Sequence, residues 1–352
     1  MHSRDLPKLL KSAAAEVGFD LCGIAPVRDF PELARFPEWI ADGGAGEMKY
    51  LEARNSSGQL QRASLKSIFP WARSVVVCAV NYNTAHPYST QVRTSGRGWI
   101  SRYAWSRDDY HDSVLRRLRE VEAKARCLYQ PEEIETRSYV DTGPIVERVY
   151  AKYAGIGWLG KNTCLINQQI GSWLFLGVII TSVELTPDSP APDRCGTCTR
   201  CIEACPTNAF VAPHHLDSNK CIAYLTIEKR GPSPEELREG IGHQVFGCDI
   251  CQDVCPWNRK APATEKAEFQ PRAEFVNPAL EWLAEISEEE FRDSFRGSPV
   301  KRAKRNGLRR NALIAIGNTG NSGLLPVAER AAHDPDATVA EAAKWARQRL
   351  AK

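Results

Sequence analysis

The sequence has no long hydrophobic run. Nothing in it approaches the ~18–20 apolar residues of a membrane-spanning helix; the strongest candidate, Trp173 to Val183, is short and reads as a buried strand. No sign of charge dominates either. Lys and Arg number 46 against 43 Asp and Glu, a net +3, so no global field marks a nucleic-acid binder and any basic surface has to be local. Met1 to Pro7 lack a basic stretch followed by an apolar core, so no secretory leader is expected and a cytoplasmic protein away from membranes follows. With 352 residues, 43% hydrophobic and 25% charged, the chain has room for two or three domains with proper cores.

Cysteine is what the chain has in quantity: twelve, of which eight fall between Cys195 and Cys255. A reducing compartment disfavours disulfides, so the clustering points to metal, while Cys22, Cys78, Cys127 and Cys164 read as core thiols. Cys195-Gly-Thr-Cys198-Thr-Arg-Cys201-Ile-Glu-Ala-Cys205-Pro206 fits C-x₂-C-x₂-C-x₃-C-P without a gap. Cys248-Asp-Ile-Cys251-Gln-Asp-Val-Cys255-Pro256 repeats the ending but has Val245 where the first cysteine belongs, and the isolated Cys221 restores the count to eight. In such runs three close thiolates wrap one cubane and the cysteine before proline ligates the other. Cys195, Cys198, Cys201 and Cys255 are therefore expected on one [4Fe–4S] cluster, and Cys205, Cys221, Cys248 and Cys251 on a second. A zinc ribbon would use two C-x₂-C pairs and leave four cysteines without a role.

The fold class expected is a multidomain α+β chain. Residues 1–185 mix helical and strand patterns into an α/β domain: a helix Leu6–Val17, a buried strand Ser74–Tyr82, an amphipathic helix His111–Tyr129 with Val114, Leu118 and Val121 on one face, a helix Pro144–Ala154 and a strand Leu174–Val183. The proline-rich connector Leu185–Asp193 marks a boundary to a ferredoxin-like module at 186–265, carrying a helical insertion near Pro234 to Glu239. Residues 266–352 are helical, and the pair around Leu313–Asn318 and Asp334–Trp345 resembles one HEAT-type repeat packed as a cap.

Three local patterns have bland readings. Gly155-Ile-Gly157-Trp-Leu-Gly160-Lys161-Asn162 satisfies G-x-G-x-x-G and nearly a P-loop, but the residues before it are helical, so a helix stop and turn is expected instead of a nucleotide site. Asp109-Tyr-His111-Asp-Ser-Val114 lacks the glycine of the cobalt-ligating D-x-H-x-x-G signature, and His111 reads as a packed or surface histidine at a helix start. Asp141-Thr-Gly-Pro144 reads as a turn whose aspartate caps the next helix.

Cys221-Ile-Ala-Tyr-Leu-Thr-Ile-Glu-Lys229, Phe246-Gly-Cys248, Cys255-Pro-Trp-Asn258, Val140-Asp-Thr-Gly143, Glu147-Arg148, Ala154-Gly-Ile-Gly-Trp158 and Gly160-Lys-Asn162 together resemble the epoxyqueuosine reductases, over essentially the whole chain. The resemblance implies reduction of epoxyqueuosine to queuosine at the wobble position of a tRNA anticodon, the last step in making that nucleoside. It implies a nitroreductase-like domain holding cobalamin base-off, which suits the missing cobalt-ligating signature. Carried over position by position, Asp141 becomes the proton donor facing the cobalt, and a raised pKa from burial is expected of it. Arg62, Ser101, Arg102, Lys161, Asn162, Leu165 and Leu176 become corrin contacts. The chain departs from the pattern in doubling Asp108-Asp109 and in having Ser106 where glycine is usual.

Lys301, Arg302, Lys304, Arg305, Arg309 and Arg310, followed by Asn311, put six cations and no acid into ten residues. The run is expected to grip the phosphates of the anticodon stem-loop. An external low-potential donor of flavodoxin or ferredoxin type is expected to feed the clusters, and a monomer is expected. The rival readings are a reductive dehalogenase and a non-catalytic two-cluster carrier; the basic helical tail disfavours the first and the long N-terminal domain the second.

Overall fold

A computed structural model describes residues 6–92, 95–128 and 134–351; the last residue of the expected helix 111–129 lies outside them. The chain forms two compact units, each discontinuous in sequence: Met1–Asn83, Tyr110–Cys198 and Pro256–Ala263 make the first, and Thr84–Asp109, Thr199–Cys255 and Thr264–Lys352 the second.

The first unit is built on an antiparallel sheet in the order Leu21–Pro26, Ser74–Asn81, Leu174–Thr181, Thr136–Tyr139. Ser74–Asn81 is buried at every position, which is why it reads as an unbroken β-branched run and not as an alternation. Val75, Val77, Ala79, Val178 and Ile180 point to one face and pack with Val149, Tyr150 and Ala151 of the helix Glu147–Tyr153. Across the sheet lies the helix Tyr110–Leu128, with Val114, Leu118 and Val121 fully buried. It comes closest at Gly177, where an added Cβ would stand 2.7 Å from Leu118 Cδ1. The connector is part of this unit: Asp188 accepts hydrogen bonds from the Ile24 amide (2.9 Å) and Lys11 Nζ (2.6 Å).

In the second unit the short strand Trp99–Ile100 pairs in parallel with Gln244–Phe246. Segment 84–109, expected with the N-terminal domain, therefore folds with the second unit. Ser106 has no left-handed backbone, so the glycine usual in the family is not needed there; its hydroxyl donates to the Asp108 carbonyl at 2.8 Å. The helix Lys304–Asn318 is the core of the helical part, packed by Leu280–Glu285 and Ala337–Leu350. Asp336 caps the last of these through the amides of Thr338 and Val339.

Packing on several sides corrects the expectation for the basic run. Arg309, Arg310 and Asn311 are interior residues. Arg310 donates to the carbonyls of Leu225, Lys229 and Gly231 at 2.7–2.8 Å, Asn311 to those of Thr226 and Val245, and Arg309 pairs with Asp334 at 2.7 Å. Their charge is spent on carbonyls and one carboxylate that helix packing would otherwise strand. The exposed remainder is Lys301, Arg302 and Lys304, with Arg305 half-buried; Arg302 forms a bidentate pair with Glu228.

An Arg310→Leu variant strands three carbonyls, at about 1–3 kcal/mol for each unsatisfied group, and is expected to lose roughly 3 kcal/mol or more of stability. Denaturant midpoints check this; a loss under about 1 kcal/mol would contradict the interior role.

Candidate active site and cluster module

After the strand Thr136–Tyr139 the chain turns sharply, and Asp141 takes a left-handed backbone (φ 58°). A non-glycine residue there stores of order 1–3 kcal/mol of strain, a feature that concentrates at functional sites. Gly143 lets the turn close, since a Cβ would stand 2.5 Å from the Tyr139 ring. The next helix begins at Glu147 behind Val146 with no side-chain cap, so Asp141 is not the helix cap that its turn suggested.

Asp141 is instead held by the first turn of Tyr110–Leu128. The Tyr110 hydroxyl donates to Oδ2 at 3.2 Å, and His111 Nε2 stands 3.7 Å from the same oxygen. Tyr110 stacks on His111 (4.1 Å between ring centroids) and on Phe175 (4.2 Å), and Phe175 stacks on Tyr82 (4.3 Å), an aromatic wall that fixes the phenol. The Asp141 side chain is 69% exposed. The His111 imidazole holds its carboxyl below the usual carboxylate range against partial desolvation, with Arg148 and Tyr110 adding to the effect. This reverses the expected raised pKa: opposite charge and hydrogen bonds to the ionised form outweigh burial.

Glu147 carries the opposite shift. Burial first and the Asp141 charge second push its carboxyl up to about 7, with a hydrogen bond from its own backbone amide, then Arg148 and Arg62, pulling it back. Its Oε1 is enclosed without a hydrogen-bond partner. Arg148 donates to the Thr163 carbonyl at 3.0 Å, tying this helix to the loop of the hairpin Trp158–Leu159 and Leu165–Ile166. The glycines before that hairpin form the expected helix stop, with Gly155 at φ 73°. In the loop Lys161 Nζ donates to the carbonyls of Gly196 (2.7 Å) and Cys198 (3.0 Å), and buried Asn162 accepts from the Cys164 amide.

Of the other expected corrin contacts, Arg62 donates to the Tyr50 carbonyl and lies over its ring, Leu165 is buried in the core and Leu176 is half-buried. Ser101 and Arg102 belong to the second unit and are buried there. Ser101 Oγ donates to Asp249 at 2.5 Å, while the Arg102 guanidinium donates to the carbonyls of Thr84, His86 and Pro87. Asp249, between Cys248 and Cys251, also accepts from Trp99 Nε1 and the Arg102 amide.

None of the eight module cysteines is in a disulfide. The spacing of the two runs folds into matching short helices, Arg200–Glu203 and Ile250–Asp253, which pack on each other. Cys221 starts the helix Ile222–Ile227. Burial, then Cys221, Asp249 and Cys205, drive the Cys248 thiol well above its ordinary pKa. Such a group of mostly half-buried thiols is electrostatically unfavourable as bare thiolates and fits a cationic cluster that deprotonates its ligands. His111, Tyr110, Glu147 and Asp249 are the residues that reading the sequence left without a role. The Asp-Tyr-His run at a helix start was the available signal for the first two.

Residues 194–258 match a family model described as 4Fe-4S double cluster binding domain, and residues 62–142 one described as Epoxyqueuosine reductase QueG, DUF1730. The chain is 36% identical over 346 residues to an epoxyqueuosine reductase of Xanthomonas campestris pv. campestris, covering 97% of this chain and 95% of that protein. It is 44% identical over 298 residues to one from Synechocystis sp., covering 82% and 98%. Among solved structures, an epoxyqueuosine reductase with an epoxyqueuosine-modified tRNA-Tyr stem loop is similar at TM-score 0.88 and 31% identity over 100% of this chain and 92% of that one. The Bacillus subtilis enzyme with its catalytic aspartate loop swung out of the active site is similar at TM-score 0.87 and 30% identity, over 99% and 91%.

Removing the imidazole is expected to raise the Asp141 pKa. In a His111→Gln variant carrying carbon-13-labelled aspartate, the Asp141 carboxyl should titrate at higher pH than in the parent; an unchanged or lower midpoint would refute the electrostatic role of His111.

Proposed function

We propose a division of labour for a chain that belongs to the epoxyqueuosine reductase family and reduces epoxyqueuosine to queuosine in tRNA. Asp141 is the residue that hands a proton to the epoxide oxygen. The observation that supports this most directly is the placement of its carboxyl, exposed on a strained turn and braced by Tyr110 and His111; because these neighbours favour the ionised form, the proton it passes on has to be taken up during the reaction. The similar Bacillus subtilis enzyme has a catalytic aspartate loop that is swung out of its active site, and the Asp141 turn is taken as the equivalent loop.

The first unit is read as a nitroreductase-like cobalamin domain and the tail as HEAT-like. An exposed acid bordered by His111, Arg148 and an aromatic wall, with Arg62 acting on the neighbouring Glu147 and Leu176 half-buried, suits an amide-bearing, partly apolar corrin held base-off. Arg62 and Leu176 would touch the corrin directly. Lys161, Asn162 and Leu165 would act by shaping their hairpin, and Ser101 and Arg102 by ordering the second unit. When bound, reduced cobalamin supplies a strong nucleophile or one-electron donor to the epoxide-bearing ring, recharged through the two [4Fe–4S] clusters from a flavodoxin- or ferredoxin-type donor.

The thiols fall to the clusters as their spacing divides them: Cys195, Cys198, Cys201 and Cys255 on one, Cys205, Cys221, Cys248 and Cys251 on the other. Thiolate ligation needs no protein base, since the cationic iron lowers each thiol's pKa. Tyr110 and His111 orient Asp141, and the Phe175 and Tyr82 rings keep water from that side. Ring opening puts negative charge on oxygen, and a positioned acid lowers that barrier by a typical 10²–10⁴-fold. The substrate is the tRNA anticodon stem-loop carrying epoxyqueuosine, taken up by a monomer; Lys301, Arg302, Lys304 and Arg305 would lie along its phosphates.

Oxygen-free material is expected to hold about eight irons per chain and, with added cobalamin, to convert epoxyqueuosine in a tRNA stem-loop given a reductant. Fully loaded protein that leaves the nucleoside unchanged would overturn the reading. Asp141→Asn should lower turnover by roughly 10²–10⁴-fold without loss of the corrin absorbance. Neutralising Lys301, Arg302, Lys304 and Arg305 should weaken stem-loop binding and flatten its salt dependence, the slope falling by about 1 for each phosphate that no longer meets a cation. An unchanged slope would remove these residues from the interface.

A further inference from the structure

Reducing an epoxide to an alkene consumes two electrons and two protons. One carbon–oxygen bond breaks and the alkoxide takes the first proton. The second breaks as hydroxide leaves with the other proton as water, and the carbon–carbon double bond forms. The external low-potential donor supplies the electrons, and the two protons come in the end from solvent, by way of whichever groups of the protein are placed to carry them. Asp141 presents one proton at a time, and its surroundings favour its ionised form.

Glu147 lies in the same turn and helix start, and the mechanism above does not use it. It opens the helix Glu147–Tyr153, and its Oε1 is enclosed with no hydrogen-bond partner. An enclosed carboxyl oxygen without a donor is a poor place for a negative charge and a good one for a proton. The charged groups that bear on it are Asp141, Arg148 and Arg62. Asp141 opposes its ionisation, and the two arginines keep it within reach of neutral pH. Two neighbouring carboxyls whose environments drive their proton affinities apart are the usual mark of a divided acid pair.

We propose that Glu147 is the proton store of this site, recharging Asp141 between the two protonations that alkene formation requires. As negative charge grows on the substrate oxygen, Asp141 gives up a proton and draws the next from Glu147, which refills from solvent. Glu147 touches neither substrate nor cofactor in this scheme; it is a positioning residue for the proton. The proposal deepens the reading of Asp141 as donor and rests on it.

The test uses two readouts. With the cofactor-loaded enzyme and epoxyqueuosine stem-loop, turnover should fall as pH rises through about 7, where Glu147 loses its proton. Glu147→Gln should lower turnover by about 10²-fold, leave KM little changed and abolish that limb, whereas Glu147→Asp should keep a limb at a displaced pH. A Glu147→Gln enzyme retaining the parent's limb overturns the proposal.

Independently of turnover, difference infrared spectra of the folded, iron-loaded protein should show a protonated-carboxyl stretch that titrates near 7 and is absent in Glu147→Gln. In Asp141→Asn its midpoint should move down, because the opposing charge is gone. A stretch indifferent to Asp141 rejects the coupling even if the enzyme is active. Should the parent bind cofactor yet fail to reduce the nucleoside while the carboxyl still titrates as described, the functional reading fails and the coupling stands.

Discussion

The active-site turn depends on one interaction: the first turn of the helix Tyr110–Leu128 meeting the carboxylate of Asp141. That meeting is possible because the helix can lie close on the sheet at Gly177, where any side chain would collide with Leu118 and Val114. The depth of the helix sets the height of its N-terminal turn, and Tyr110 is clamped there between His111 and Phe175. A left-handed aspartate is strained on its own; it persists because a phenol and an imidazole over-determine where its oxygens sit. The packing of a core glycine thus reaches the carboxylate of Asp141 through one helix and two rings.

The same interaction sets the electrostatics. His111, Tyr110 and Arg148 all favour the ionised form of Asp141, and that charge, next to an enclosed carboxyl, keeps Glu147 protonated further up the pH scale. Neither shift is a property of the residue type. A carboxyl that is exposed and surrounded by cations and donors goes down; one that is enclosed beside an anion goes up. The Cys248 thiol follows the second rule, raised by burial and by Cys221, Asp249 and Cys205, a sign that a bound metal cation would reverse.

What the sequence made legible was local. Ser74–Asn81 and Leu174–Thr181 were readable because strands covered on both faces must be apolar throughout. The cysteine runs were readable because cubane ligation fixes spacing within a few residues. The helix pair on either side of Asp334-Pro335 was readable because a proline-bearing break between two helical patterns is a local signal. The joining of segment 84–109 to the second unit was not, because a two-residue strand paired with Gln244–Phe246 leaves no periodicity. The interior half of the basic run was hidden for a similar reason. Arg310 is satisfied by carbonyls some eighty residues away, and charge patterning counts only neighbours in sequence.

His111 is the packed histidine at a helix start that its sequence suggested, but the capping reading of Asp141 fails. Each was weighed alone, one as a cap and the other as a packed or surface histidine, so their meeting at one carboxylate was not foreseen. A cap needs its oxygen near the second or third helical amide, but the helix after Asp141 starts at Glu147, too far along for the aspartate to reach. Freed of that duty, the carboxylate is left facing outward on a turn that a capping role would not have strained. An exposed acid held in an unfavourable backbone by side chains thirty residues upstream has no stabilising task that its immediate surroundings supply. The strain is therefore informative about function in a way that the residue's identity was not.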